Sequence, residues 1–88
     1  MGYSIDFTPS AAKELAKLPK AERRRIATKI DALANEPRPP GVEKLAGEDA
    51  WRVRVGDYRI VYEVQDRVLV ILVLAVGHRR EIYKRLKA

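Results

Sequence analysis

The segment WRVRVGDYRIVYEV, which runs from Trp51 to Val64, constrains the fold more than any other part of the chain. On each side of Gly56-Asp57, apolar side chains recur at every second position. This period is typical of a half-buried strand, and a Gly-Asp pair between two such runs is typical of a tight hairpin turn. The sequence therefore predicts two antiparallel strands that share one apolar face and one basic face.

The register of these two strands follows if Gly56 and Asp57 alone form the turn. Every inward-facing apolar residue then lies opposite another apolar residue, in the pairs Val55–Tyr58, Val53–Ile60 and Trp51–Tyr62. A shift of one residue would turn all of these side chains to the opposite face, so the apolar pairing supports this register.

On the basic face, the same register places Arg54 directly opposite Arg59, with Arg52 diagonal to the pair. Like charges that face each other destabilise a hairpin. The arrangement suits a surface that binds phosphates, because a bound anion removes the repulsion and accepts bidentate guanidinium hydrogen bonds. The alternative is that Glu63, Asp57 or an acidic partner neutralises the arginines. We favour the anion-binding interpretation.

Patterns in the rest of the chain predict two helical regions and two further strands. These are a strand over 3–7, a helical hairpin over 9–35, a rigid connector over 37–41, a strand over 68–76 that Gly77 ends, and a short helix over 80–87. The helical hairpin must bury its apolar stripe on one sheet face, which leaves the other face to the arginines. We expect one α+β domain over 1–88: a small antiparallel sheet (a meander) with an N-terminal helical hairpin packed on one face and a short C-terminal helix.

Charge is distributed unevenly in this chain of net charge +6. Residues 1–50 have nine basic and eight acidic side chains, whereas residues 51–88 have nine basic and four acidic ones. This asymmetry indicates a polyanionic partner, with nucleic acid first and an acidic protein second, and charge that serves only solubility is the alternative. The longest apolar run, over 68–76, falls short of the ~18 residues of a membrane helix. We expect a cytoplasmic protein without membrane association.

The stretch VGHRREIYKRL at 76–86 concentrates side chains that can carry chemistry. It contains His78, which is the only histidine of the chain, together with Arg79, Arg80 and Tyr83. Histidine can transfer a proton near neutral pH, although a lone histidine is more often an exposed residue at a strand end. With one histidine and no cysteine, the sequence offers no metal-ligand cluster, and we expect no cofactor. Cleavage of a phosphodiester would then use the RNA ribose 2′-OH as the nucleophile, with arginines that stabilise the charged intermediate.

The hairpin, the apolar strand and the motif VGHRREIY together resemble the RelE/ParE toxin superfamily of bacterial and archaeal toxin–antitoxin pairs, and its RelE branch most of all. The order of elements agrees over the whole chain, and the specific motifs cover about residues 50–84. The resemblance implies an mRNA interferase, a toxin that enters the ribosomal A site and cuts translated mRNA. It also implies a cognate antitoxin that wraps around the toxin and holds it inactive.

The resemblance implies roles for particular residues. The candidate catalytic residues are Arg59, His78, Arg79 and Tyr83, and the candidate RNA-binding residues are Arg52, Arg54 and Arg80. In RelE-type toxins the tyrosine is linked to activation of the 2′-OH, and the arginines are linked to the phosphate and the leaving group. His78 stands where other members have lysine, which leaves open whether His78 or Tyr83 has the larger role in proton transfer.

Two other functions remain as alternatives. ParE-like members share the fold but inhibit DNA gyrase and lack this residue set, so one alternative is a toxin without nuclease activity. The other is a basic RNA-binding module without catalysis. The combination of Arg59, His78, Arg79 and Tyr83 favours RNA cleavage.

Overall fold

Two helices and a five-stranded sheet make up the part of the chain that the computed structural model describes, residues 2–45 and 49–78. In chain order the elements are β1 (Ser4–Phe7), α1 (Pro9–Ala16), α2 (Lys20–Leu33), β2 (Glu43–Lys44), β3 (Ala50–Val55), β4 (Tyr58–Gln65) and β5 (Val70–His78). This order confirms the predicted α+β fold and adds the short strand β2. The predicted helix at 80–87 lies outside the described residues.

The strands of the sheet lie in the order β1-β5-β4-β3-β2. The expected antiparallel meander of β3, β4 and β5 is present, and β2 extends it at one edge. At the other edge β1 pairs with β5 in parallel, from Ser4 opposite Val70 to Phe7 opposite Val73, so the whole sheet is mixed. Parallel partners require a long connection, and here two helices and three strands separate β1 from β5 along the chain.

The hairpin of β3 and β4 has the predicted register. Its Cα partners include Trp51–Tyr62, Val53–Ile60, Arg54–Arg59 and Val55–Tyr58. Gly56 enters the two-residue turn with a φ of +59°, a left-handed conformation that glycine adopts at little cost. The turn thereby fixes which side chains of both strands face the helices.

Both helices begin where the sequence predicts. The Thr8 hydroxyl caps α1 by accepting a hydrogen bond from the Ala11 amide at 3.1 Å, and Pro9 occupies the first turn. Pro19 directly precedes α2, whose apolar stripe of Ile26, Ile30 and Leu33 is fully buried in the same cluster as the inward residues of the sheet. Neither described helix is long and apolar enough to cross a membrane.

Tyr62 lies at the centre of this core and is completely buried. Its hydroxyl donates a hydrogen bond of 2.7 Å to the carbonyl oxygen of Pro37. This bond satisfies the one polar atom of the side chain and ties the connector after α2 to the middle of β4. Burial disfavours the phenolate and raises the pKa of Tyr62 to about 12.

Strand β5 is displaced by two residues from the predicted span of 68–76. Val68 and Leu69 are exposed in the turn before it, and the strand continues through Gly77 to His78. Leu69 has a φ of +55°, which strains a residue with a branched side chain and accompanies the change of direction. An apolar run without alternation contains no signal for either end of the strand, so the prediction was wrong at both.

A bulge in β5 changes which residues face the helices. Tyr62 lies opposite Val73 while Val61 lies opposite Ala75, so Leu74 is an extra residue. Beyond this point Val76 points to the helices, and Ala75 packs with Val61 in a small apolar cluster on the opposite face. The face predicted to be left to the arginines therefore also carries this cluster.

We expect Tyr62→Phe to lower the free energy of unfolding by about 1–2 kcal/mol at neutral pH, because the Pro37 carbonyl loses its donor. The difference in unfolding free energy between the wild type and Tyr62→Phe should narrow above pH 10. An unfolded tyrosine loses its proton near 10.0, whereas folded Tyr62 keeps its proton to about 12. The unfolded state therefore binds fewer protons between these values, and the stability of the wild type falls as pH rises.

Urea unfolding at neutral pH and near pH 11 measures both effects. Tyr3→Phe is the control, because it removes an exposed hydroxyl that donates to Asp66. If Tyr62→Phe lost as much stability as the wild type above pH 10, the buried phenol would not be the titrating group.

Candidate nucleic-acid interface

Three arginines lie on the sheet face that points away from the helices. Arg52 and Arg54 alternate with the inward residues of β3, and Arg59 lies directly opposite Arg54 on β4. Arg54 is exposed, and the other two side chains are half-buried. We call these three residues the arginine face. The prediction that they share one face is confirmed, and their separation is small enough for neighbouring phosphates to contact more than one guanidinium.

The turn orients the Arg59 guanidinium. Its Nη1 atom donates to the carbonyl oxygens of Tyr58 at 3.1 Å and Gly56 at 3.4 Å. On the neighbouring strand Arg59 lies opposite Gly77, which has no side chain to compete for the space above the sheet. The backbone of the hairpin thus positions this arginine near the end of the sheet.

Glu43 is a component of this surface that sequence reasoning missed. It lies opposite Arg52 in the β2–β3 pair, and its Oε2 accepts a hydrogen bond of 2.6 Å from Arg52 Nη2. This bond, with weaker attraction from Arg54 and Arg59, lowers the pKa of the Glu43 carboxyl. The segment VEKLAG at 42–47 is compatible with a short extended piece, but it contains no signal that identifies a partner strand.

The acidic side chains nearest in sequence to the arginine face do not neutralise it. Neither Glu63 nor Asp57 forms a salt bridge with these arginines, and Glu63 instead accepts a hydrogen bond from Gln65 Nε2 at 3.2 Å. Among the residues that the structure describes, Glu43 alone makes a salt bridge to the arginine face. Glu43 therefore pairs with Arg52, whereas Arg54 is exposed and can contact an anion from solvent.

His78 lies on the other side of the sheet from the arginine face. It pairs with Tyr58, whose side chain packs against the helix-side core, and the two rings meet edge to face with centroids 6.0 Å apart. Arg59 is the next residue after Tyr58, and consecutive strand residues point to opposite faces. The structure therefore does not bring His78 and Arg59 onto one surface. Arg79, Arg80 and Tyr83 lie outside the described residues.

Basic residues at the far end of the sheet have structural partners. Arg38 forms a salt bridge of 2.9 Å with Asp66 and lies 5.3 Å from the centre of the Trp51 ring. Tyr3 donates a hydrogen bond of 2.7 Å to the same carboxylate. The hydrogen bond from Arg38, followed by that from Tyr3, lowers the pKa of Asp66. This cluster joins the connector, β1 and the turn before β5, and its charges balance.

No group of three or more potential metal ligands occurs within residues 2–45 and 49–78. The polar groups of the arginine face itself are donors, which bind anions rather than cations. Its chemistry is therefore that of phosphate or carboxylate recognition.

Comparisons with known proteins show that this chain is similar to toxins of toxin–antitoxin systems. A family model described as the ParE toxin of the type II toxin–antitoxin system parDE matches residues 5–83. Toxin RelG of Mycobacterium tuberculosis is 34% identical over an aligned length of 92 residues, gaps included. The alignment covers 97% of this chain and 100% of the relative. The mRNA interferase toxin RelE of Escherichia coli is 31% identical over 87 residues, which cover 94% of this chain and 92% of the relative.

A solved structure shares the fold. It is the archaeal RelE–RelB complex from Pyrococcus horikoshii OT3, one chain of which superimposes with a TM-score of 0.80 at 38% identity. The match covers 90% of this chain and 97% of that chain. The similarity therefore extends over the helical hairpin and the sheet together.

We expect Glu43→Gln to raise the affinity for single-stranded RNA by about two- to fivefold, the range of an exposed ion pair. The carboxylate competes with phosphate for Arg52, and glutamine keeps the shape without the charge. Fluorescence anisotropy with a labelled oligoribonucleotide measures the effect, which should shrink as salt screens the competing charges.

Glu36→Gln is the matched control, because it removes one exposed carboxylate that forms no salt bridge with the described residues. Weaker RNA binding by Glu43→Gln would mean that Glu43 holds Arg52 in position and does not compete with phosphate.

Proposed function

Because the chain belongs to the RelE/ParE superfamily of type II toxins, we propose that it is the toxin of a toxin–antitoxin pair and that it cleaves mRNA. The observation that carries this proposal is the arginine face, a set of guanidinium groups that the hairpin holds on the sheet face opposite α1 and α2. Guanidinium groups bind phosphate in a bidentate manner and stabilise the extra negative charge of a phosphoryl transition state. Relatives named RelE support RNA as the substrate.

The proposed reaction is an internal transesterification. The ribose 2′-oxygen forms a bond to the adjacent phosphorus, and the bond from phosphorus to the 5′-oxygen breaks. One group removes the 2′-OH proton and another donates a proton to the leaving 5′-oxygen, so the products are a 2′,3′-cyclic phosphate and a 5′-OH. Arg59 and Arg79 contact the reacting phosphate in this proposal, and Arg52, Arg54 and Arg80 bind neighbouring phosphates.

Tyr83 is the better candidate for the proton-transfer step. His78 contacts the Tyr58 ring on the helix side of the sheet, whereas Arg59 lies on the other side. A proton-transfer group must come within hydrogen-bonding distance of the 2′-oxygen or the 5′-oxygen, and both of these lie next to the phosphate that the arginines bind in this proposal. We therefore assign proton transfer to Tyr83 and a supporting role at the end of the sheet to His78.

The partners follow from the same chemistry. We propose that the toxin acts in the cytoplasm, in the ribosomal A site, where translated mRNA presents its phosphates. A cognate antitoxin with an acidic segment would inhibit it by covering the arginine face. The relative from Pyrococcus horikoshii was solved as a RelE–RelB complex, which supports this kind of partner. A membrane has no role in the proposal.

A ParE-like toxin that inhibits DNA gyrase is the second candidate, because the description of the matching family model names ParE. The two functions differ in their products. A nuclease yields mRNA fragments in expressing cells, whereas a gyrase inhibitor changes DNA supercoiling and leaves mRNA intact. Intact mRNA together with inhibited gyrase would support the second candidate and contradict the first.

We expect Arg59→Ala to slow cleavage of ribosome-bound mRNA by more than about tenfold, since one charge-stabilising donor contributes at least that much. The protein should stay folded, because the hydrogen bonds that join Arg59 to the turn carbonyls are partly exposed and the change relieves the repulsion between Arg54 and Arg59. Arg67→Ala is the control, as it removes an exposed arginine from the turn before β5.

Cleavage by the wild type should persist in EDTA after allowance for the magnesium that ribosomes require, and the fragments should have 5′-OH ends. Fragments with 5′-phosphates would rule out the 2′-OH mechanism. Normal cleavage by Arg59→Ala would assign the arginine to structure.

We expect Tyr83→Phe to slow single-turnover cleavage by at least about tenfold and His78→Gln to slow it less, because a positioned acid or base contributes ~10² or more. Each variant keeps the size of the side chain and removes one function. Ribosome binding, measured by co-sedimentation, should be nearly unchanged in both. A larger defect in His78→Gln would reverse the assignment of the two roles.

A further inference from the structure

A second basic surface adjoins the arginine face on the other side of the hairpin turn. It is a cleft of about 510 Å³ between α2 and the end of β3, lined by Arg24, Arg25, Thr28, Lys29 and Ala32 from α2 and by Arg54, Val55 and Gly56 from the hairpin. Strand β2 pairs only with Trp51 and Arg52, so it does not cover the edge of β3 beside this cleft. A ligand can therefore enter from solvent.

The charges of the cleft are largely uncompensated. Arg25 forms an exposed salt bridge of 3.3 Å with Glu22. The side chains of Arg24, Lys29 and Arg54 form no hydrogen bond or salt bridge with the residues that the structure describes. Four cations around one space repel one another, and a bound polyanion would remove that repulsion.

Arg25 packs closely against the turn glycine. A Cβ atom at position 56 would lie 3.2 Å from Arg25 Nη2, so the guanidinium lies directly against the turn and forms part of the cleft wall. The same residue needs a φ of +59° for the hairpin. One glycine thus serves both the register of the hairpin and the wall of the cleft.

Phosphate groups of RNA suit this cleft better than the carboxylates of a protein segment. Its volume accommodates a phosphate with its sugar, and guanidinium groups with the Thr28 hydroxyl supply donors that match phosphate oxygens. Arg54 belongs both to the cleft and to the arginine face. RNA has one phosphate in each nucleotide, so a strand bound at the arginine face would continue past Arg54 into the cleft.

We propose that the cleft between α2 and the β3–β4 turn is a second site for the RNA backbone, which holds phosphates of the strand outside the cleaved step. The inference rests on the proposed function, because it extends the path of the same RNA. It assigns a binding role to the basic cluster of α2, which the reaction itself does not use.

A pair of double variants tests the proposal by binding alone. Arg24→Gln/Lys29→Gln removes two charges from the cleft. The control is Lys20→Gln/Arg23→Gln, which removes two charges from the same helix outside the cleft lining. Arg23 instead donates a hydrogen bond to the Ala16 carbonyl and lines a separate groove beside Phe7. The probe is a labelled single-stranded oligoribonucleotide with 2′-O-methyl groups, which cannot undergo 2′-OH cleavage. Anisotropy is measured over a range of salt concentrations.

The cleft variant should bind at least about fivefold more weakly at low salt. The magnitude of its slope of log affinity against log salt should decrease by about 1.4, because each of the two lost phosphate contacts to a single strand contributes roughly 0.7. The control pair should keep the slope of the wild type. Equal losses in both double variants would mean that only net charge matters and would overturn the proposal.

Two further outcomes are decisive. If polyglutamate displaced the probe from the wild type but not from the cleft variant, and the cleft variant kept its RNA affinity, the cleft would be a site for an acidic protein and not for RNA. If the slope changed as expected while the wild type left mRNA intact, the cleft would stand and the nuclease proposal would fail. The two proposals can therefore fail separately.

Discussion

The two-residue turn at Gly56-Asp57 is the constraint on which the rest of the structure depends. It holds β3 and β4 in a single register, and in this register Val53 and Ile60 reach the helices while Arg54 and Arg59 do not. A slip of one residue would bury the arginines without partners and expose the apolar side chains. The register that the turn fixes therefore determines both the apolar core and the basic surface.

The basic surface is unfavourable for stability and useful for binding. Two arginines that face each other repel, and the salt bridge of Glu43 is with the neighbouring Arg52 rather than with either of them. Burial of the α2 stripe and of Tyr62 on the other side of the sheet provides the stability that holds this surface in place. Local conflicts of this kind are expected at functional sites, where a ligand resolves them. In the proposed function, phosphates of RNA or carboxylates of an antitoxin would each do so, and substrate and inhibitor would then compete for one surface.

The bulge at Leu74 places His78 and Arg59 on opposite faces of the sheet. Because of this extra residue, Gly77 rather than a side-chain-bearing residue lies opposite Arg59, and His78 lies beside Tyr58 on the helix side. Arg52, Arg54 and Arg59 thereby lie on one face of the sheet, and His78 lies on the other. The cleft beside α2 extends the same basic surface around the turn, with Arg54 as the shared residue.

The sequence by itself determined the features that depend on near neighbours. Alternation within 51–64 and a Gly-Asp pair specified the hairpin, its register and the face of Arg52, Arg54 and Arg59, because strand side chains repeat every second residue. The apolar stripe of the helical hairpin was equally readable, since it arises within a few helical turns. These are also the parts of the candidate site that the prediction placed correctly.

Only the tertiary structure decided the features that join distant segments. The apolar run at 68–76 has no alternation, so neither its bulge nor the position of His78 could be read from it, and β1 contains no signal for its parallel partner β5. The contact of Glu43 with Arg52 and the cleft between α2 and β3 arise where elements meet in space. The physical reason is that backbone periodicity is local, whereas strand pairing and the contacts between charged side chains depend on how the whole chain packs.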